Sequence, residues 1–156
     1  MSINLTGPTA AVTTTDSKIS AGTYTFVADQ ANDLRTKVFA VSAIGGTQTG
    51  VQKHTAEAPK QLMFRRPASY AQLGGYNQVS GKYSKVPKNV TRIIGKGSAQ
   101  VVLNQWEIIP MTLDIGIPAG STSYDAANVE ASVMMFITGL YDQKEELCQA
   151  IIDGLY

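Results

Sequence analysis

The chain has 156 residues, 44% of them hydrophobic and 16% charged, with a formal net charge of +1. That length suits a single domain, 1–156, with a sizeable core, and the composition excludes a disordered chain. No apolar run reaches the ~18 residues of a membrane span. Met1 to Pro8 shows no secretory pattern, so a cytosolic, reducing site of synthesis is expected. The one cysteine, Cys148, excludes an internal disulfide framework and a Cys-based metal cluster.

The small net charge hides an asymmetry. Leu34 to Gln100 holds eleven basic residues against Glu57 alone, a balance of +10. The first 33 residues carry −2, and Val101 onward carries −7. A split of this size predicts a polyanion partner or self-association of unlike surfaces, unless the fold interleaves the two signs in space.

In chain order, Ala11 to Thr15 and Lys18 to Val27 read as strands separated by the turn pair Asp16-Ser17. Gly22 marks a bulge or break in the second run. After the turn cluster Gln30 to Asp33, Leu34 to Ile44 reads as a third strand stopped by Gly45-Gly46. Thr47 to Pro59 is a polar loop, and Lys60 to Arg66 a short strand ended by Pro67. Residues 67–100 have low apolar density, five bases and no acid, and read as a long, partly ordered basic loop with a short strand at Val90 to Ile94. Val101 to Ile117 is the clearest strand: Ile109, Met111, Leu113, Ile115 and Ile117 alternate with Pro110, Thr112, Asp114 and Gly116.

After Pro118-Ala-Gly120 the period changes. Val129, Val133, Phe136, Ile137 and Leu140 share one face of a helix from about Tyr124 to Leu140, with Ser121, Thr122 and Ser123 as candidate N-caps. Asp142 with Glu145 resembles a capping box opening a second helix to about Asp153, with Leu147, Cys148, Ile151, Ile152 and Leu155 on its face and Gly154 at its stop. Five to six antiparallel strands followed by two helices make an α+β fold.

Enzyme signatures fail. His54 lies in a polar loop, and no nucleophile elbow is present. Gly75 to Tyr83 has five residues between its glycines rather than four, and a tyrosine where a phosphate loop needs Ser or Thr. One Cys and one His make no metal cluster, and no cofactor is implied. Cys148 sits on an apolar stripe and reads as packing.

What survives is electrostatic. In Gln61-Leu-Met-Phe-Arg-Arg66, Leu62 and Phe64 suit a core, while Gln61, Met63 and Arg65 face the other way. Lys37 and Phe39 are placed with them from the third strand, although Val38 and Ala40 on the opposite side are also apolar. Basic, amide and soft side chains on one sheet face suit phosphates and bases. Taken singly, each base is an ordinary solubilising charge; their grouping argues for nucleic acid.

This order of elements resembles the coat proteins of single-stranded RNA bacteriophages. The resemblance rests on the strand Leu34 to Ser42 with its following loop and the Lys60 to Arg66 strand. It rests also on Trp106-Glu-Ile-Ile-Pro-Met-Thr-Leu-Asp-Ile-Gly-Ile-Pro118, and on the closing helix pair from Asp125 to Tyr156. It implies a homodimer of two sheets joined edge to edge, with each subunit's helices lying on its partner. Val129, Val133, Phe136, Ile137, Leu140, Leu147, Ile151 and Ile152 then form the dimer interface. It implies an icosahedral shell, usually of T=3 type, whose inner sheet face meets single-stranded genomic RNA and binds an RNA hairpin to repress replicase translation. By strand position that face is Lys37, Phe39, Gln61, Met63, Arg65, Thr112 and Asp114. The connection between the last two strands is longer than the family's. Its Lys82, Lys85, Lys88, Arg92 and Lys96 are candidates for further RNA or shell-axis contacts. The protein is then a virion component made in the bacterial host cytoplasm, without a membrane partner. A dimeric cytosolic RNA-binding regulator that builds no shell fits the same charges.

Overall fold

The computed structural model describes Ile3, Leu5, Gly7, Pro8 and residues 19–154. The expected strand Ala11 to Thr15 and the turn Asp16-Ser17 lie outside the described residues. The chain divides into two compact units, Met1–Pro67 with Thr91–Ile115, and Ala68–Val90 with Gly116–Tyr156.

The strands are β1 (Gly7–Pro8), β2 (Ile19–Asp29), β3 (Thr36–Gln48), β4 (Gln61–Arg65), β5 (Tyr76–Asn77), β6 (Lys82–Tyr83), β7 (Lys88–Val102) and β8 (Gln105–Pro118). Six of them form an antiparallel sheet in the order β1-β2-β3-β4-β7-β8, and β5 pairs with β6 in a separate hairpin. The helices follow: α1 (Ser121–Tyr124), α2 (Ala126–Asp142) and α3 (Lys144–Asp153). The α+β architecture is therefore as expected, with a third, single-turn helix added.

β3 is the centre of the sheet. Val38, Phe39, Ala40 and Val41 are all buried, so this strand is covered on both sides. Phe39 meets Phe64 edge-on, with centroids 6.0 Å apart. The loop after β3 runs back along it: the His54 amide donates to the Val41 carbonyl, and the Lys60 amide donates to His54 Nδ1 at 3.0 Å. His54 thus orders a loop.

Several boundaries differ from the sequence reading. Gly45 and Gly46 do not stop β3; they lie inside it, where the β2–β3 register slips between Ser20 and Thr23. The bulge expected at Gly22 is this same irregularity. The 67–100 loop is corrected: β7 occupies Lys88–Val102, and the stretch before it is a stitched hairpin. Asn77 Oδ1 accepts from the Val79 and Ser80 amides, Gly81 adopts φ +65°, and the Asn89 amide pairs with both backbone groups of Ala71. Asparagine and glycine turn chemistry, not apolar burial, orders it. The single strand expected over Val101 to Ile117 is split by the turn Leu103-Asn104, where Asn104 takes the left-handed φ of 64° that asparagine tolerates.

The helix starts also differ. Ser121 to Ser123 belong to α1 itself, and Ser121 Oγ donates to the Pro118 carbonyl at 2.7 Å. α2 begins at the N-cap Asp125, whose carboxylate is taken by Asn128 Nδ2. The Asp142–Glu145 capping box does not form, because α2 runs through Asp142 and the N-cap of α3 is Gln143. Glu145 and Glu146 instead favour the α3 start through the helix dipole, and Gly154 ends the helix at φ +68° as expected.

Gly46 carries the bulge with φ +75°, and a Cβ there would collide with the Ala21 carbonyl. Gly50 has a similar φ of +78° but open space around it. Gly46→Ala should therefore lose at least about 2 kcal/mol of stability in denaturant unfolding, and Gly50→Ala only about 1 kcal/mol, the backbone cost alone.

Candidate nucleic-acid interface

The register of β3, β4 and β7 decides which side chains share a face, because residues directly opposed in an antiparallel pair point the same way. Thr36, Val38 and Ala40 stand opposite Arg65, Met63 and Gln61, and these stand opposite Arg92, Ile94 and Lys96. Asp114 of β8 reaches this face, since its carboxylate receives both Nε and an Nη of Arg92 at 2.7 Å. Thr112, two residues earlier on β8, falls on the same side by strand alternation. Gln61, Met63, Arg65, Thr112 and Asp114 are thus brought together.

Lys37 and Phe39 are not. Their partners are Phe64 and Leu62, on the opposite face. Phe39 is buried against Phe64, and Lys37 Nζ donates to the Ile3 carbonyl at 3.1 Å. The sequence expectation fails because the middle of β3 is apolar on both sides, which erases the alternation that would have shown its parity.

The face holds a shallow cleft of about 340 Å³, lined by Gln30, Asn32, Asp33, Thr36, Val38, Gln61, Met63, Arg65, Ile94 and Lys96. Its floor is the apolar trio Val38, Met63 and Ile94; amides and charges form the rim. Such a surface can take the face of a base over the floor and meet phosphates at Arg65 and Lys96. Asp33, Thr36 and Ile94 were not foreseen. The spacing Arg92, Ile94, Lys96 carries the period-2 signal that would have found the β7 residues, but it is sparse in apolar positions.

Carboxylates temper the positive charge. Asp33 lies 2.8 Å from Arg35 and 3.9 Å from Arg65, and Asp29 accepts from Gln61 Nε2 at 2.7 Å. The Arg35 hydrogen bonds hold the Asp33 carboxyl below the usual carboxylate range, and the Arg92 fork does the same for Asp114. Lys96 has no carboxylate partner among the described residues.

Of the other candidates, Lys82 and Lys85 are exposed in the second unit, and Lys88 is exposed at the start of β7, with the parity of Arg92, Ile94 and Lys96. Val129 and Val133 are half-exposed, and Phe136, Ile137, Leu140, Leu147, Ile151 and Ile152 are exposed, from 37% at Leu147 to 73% at Ile152. No helix contains a buried residue.

An NMR pH titration should find Asp114 titrating below an ordinary aspartate, and Arg92→Gln should return it to the ordinary range. Because the folded value is lowered, whatever stability the pair contributes is full above the unfolded value and is lost as pH falls through the folded one.

No family model and no curated protein sequence matches the chain. A solved structure does: the virus-like particle of bacteriophage ESE020, at a TM-score of 0.89 and 29% identity, covering 100% of this chain and 99% of that one. In fold and in sequence, over its whole length, this chain is similar to a bacteriophage coat protein.

Proposed function

We propose that the protein is a structural coat protein of a single-stranded RNA bacteriophage, which dimerises, assembles into an icosahedral shell and packages RNA. The observation that carries this reading is the full-length likeness to a chain of a phage virus-like particle. The reading places the protein in the virion after synthesis in the host cytoplasm, and gives it no catalytic role.

Unpartnered surface supports the assembly step. β8 is an end strand of fourteen residues with Ile108, Ile109 and Met111 about half exposed, a long unprotected edge of the kind that pairs with another chain. The apolar stripes of α2 and α3 contain no buried residue. Full burial of such a side chain is worth roughly 1.5–3 kcal/mol from full exposure, and about half that from half exposure. Over eight positions this is ample to drive a stable dimer. The dimer reading therefore joins β8 to its counterpart and lays the helices on the partner.

Packaging and hairpin-dependent repression rest on the sheet face of Gln61, Met63, Arg65, Ile94, Lys96 and Thr112, with Lys82, Lys85 and Lys88 as additional contacts. Lys37 and Phe39 have no part in it.

Electron microscopy of the recombinant protein after size exclusion, with absorbance at 260 and 280 nm, should show uniform RNA-containing particles. A clean small dimer in moderate salt with RNA supplied would favour a non-assembling RNA-binding regulator instead. Phe136→Glu with Ile137→Glu should abolish both dimer and particles, read by light scattering. Arg65→Ala with Lys96→Ala should lower RNA content and flatten the salt dependence of RNA binding by about 0.7 to 1.4 in log–log slope, the lower figure being the share of Lys96 alone. Lys37→Ala should leave both unchanged.

A further inference from the structure

We propose that Asp33 and Asp114 are specificity-determining residues: Asp114 holds Arg92 of the sheet face in a carboxylate fork, and Asp33, forked with Arg35, stands 3.9 Å from Arg65, so that an RNA phosphate must compete with a carboxylate at each face arginine. This deepens the RNA-binding reading of the same face and rests on it.

Both Nε and an Nη of Arg92 are committed to the two oxygens of Asp114. Asp33 takes the Nε of Arg35 at 2.9 Å and stands 3.9 Å from Arg65. A phosphate presents the same pair of oxygens to a guanidinium as a carboxylate does, so one fork excludes the other. Of the cations Arg35, Arg65, Arg92 and Lys96, only Lys96 meets a polyanion without a competing carboxylate.

Two consequences follow physically. A ligand that offers only phosphate exchanges one fork for another at Arg92 and leaves a bare carboxylate beside a negative backbone. Its gain is small, and Arg92 adds little to counterion release. A ligand that also presents an exocyclic amino group gives the displaced carboxylate a donor, as cytosine N4 does. The carboxylates thereby weaken binding to arbitrary RNA and reward strands that place amino-bearing bases over Asp33 and Asp114. Both pairs are partly exposed, so neutralising an acid leaves the fold intact.

The test uses full-length dimers and fluorescent oligo-U and oligo-C across a salt series. Asp114→Asn should bind oligo-U about tenfold more tightly at 0.1 M salt, with a log–log slope steeper by about 0.7, one freed cation on a single strand. Adding Asp33→Asn should steepen it further. The gain for oligo-C should be smaller, so any preference for C over U shrinks. Asp114→Asn with Arg92→Gln should return to the wild-type slope, which assigns the change to the freed arginine. Unchanged or weaker oligo-U binding by Asp114→Asn, while the wild type binds RNA, overturns the proposal alone. Failure of the wild type to bind either oligomer at low salt, with particles still forming, overturns the RNA-face reading and this proposal together.

Discussion

The antiparallel ladder through β3 is the constraint on which the first unit depends. Four consecutive buried residues, Val38 to Val41, cover β3 on both sides. Its register with β4, continued into β7, then distributes every neighbouring side chain between two faces. A slip of one residue would exchange Gln61, Met63 and Arg65 for Leu62 and Phe64, and would bury charges while exposing the core. The bulge at Ala21, Gly22 and Gly46 lets β2 follow β3 despite its extra residue.

The same ladder separates two kinds of surface. One face gathers charge and amides over a thin apolar floor, with each arginine close to a carboxylate. The other carries Phe39, Leu62 and Phe64, and Met111 fills the space that Gly95 leaves, with its Cε 3.1 Å from where a Cβ would stand. Beyond the sheet, α2 and α3 carry apolar stripes with no buried residue. Exposed apolar side chains on the helices and on the last strand suit association with other chains, in keeping with the likeness to a chain of a phage virus-like particle. In the proposed dimer, assembly energy and RNA binding draw on different elements, so either can change with little cost to the other.

Much of this was legible in the residues. The alternation Ile109 to Ile117, the stripe Val129 to Leu140 and the stop at Gly154 all correspond to elements of the structure, because each is a repeated pattern whose period names its element. The sheet-face group Gln61, Met63, Arg65, Thr112 and Asp114 was legible for the same reason. The strand β7 was legible only in its Val90 to Ile94 stretch: beyond that, its alternation is carried by Lys96 against two glycines, which composition reads as loop. The helix starts were not legible: Ser121 to Ser123, which look like N-caps, lie within α1, and Asp142, which looks like the start of a capping box, lies within α2.

The sequence by itself determined the order of elements, the charge excess of the middle third and the apolar stripes of the helices, since these depend on local periodicity and composition. Only the tertiary structure decided which face each strand residue occupies and which cations have carboxylates beside them. Local pattern misplaces Lys37 because both sides of β3 are apolar at its centre. Arg92 met Asp114 from 22 positions away. Such pairings are set by register between strands distant in the chain, and no local pattern encodes register where both faces look alike.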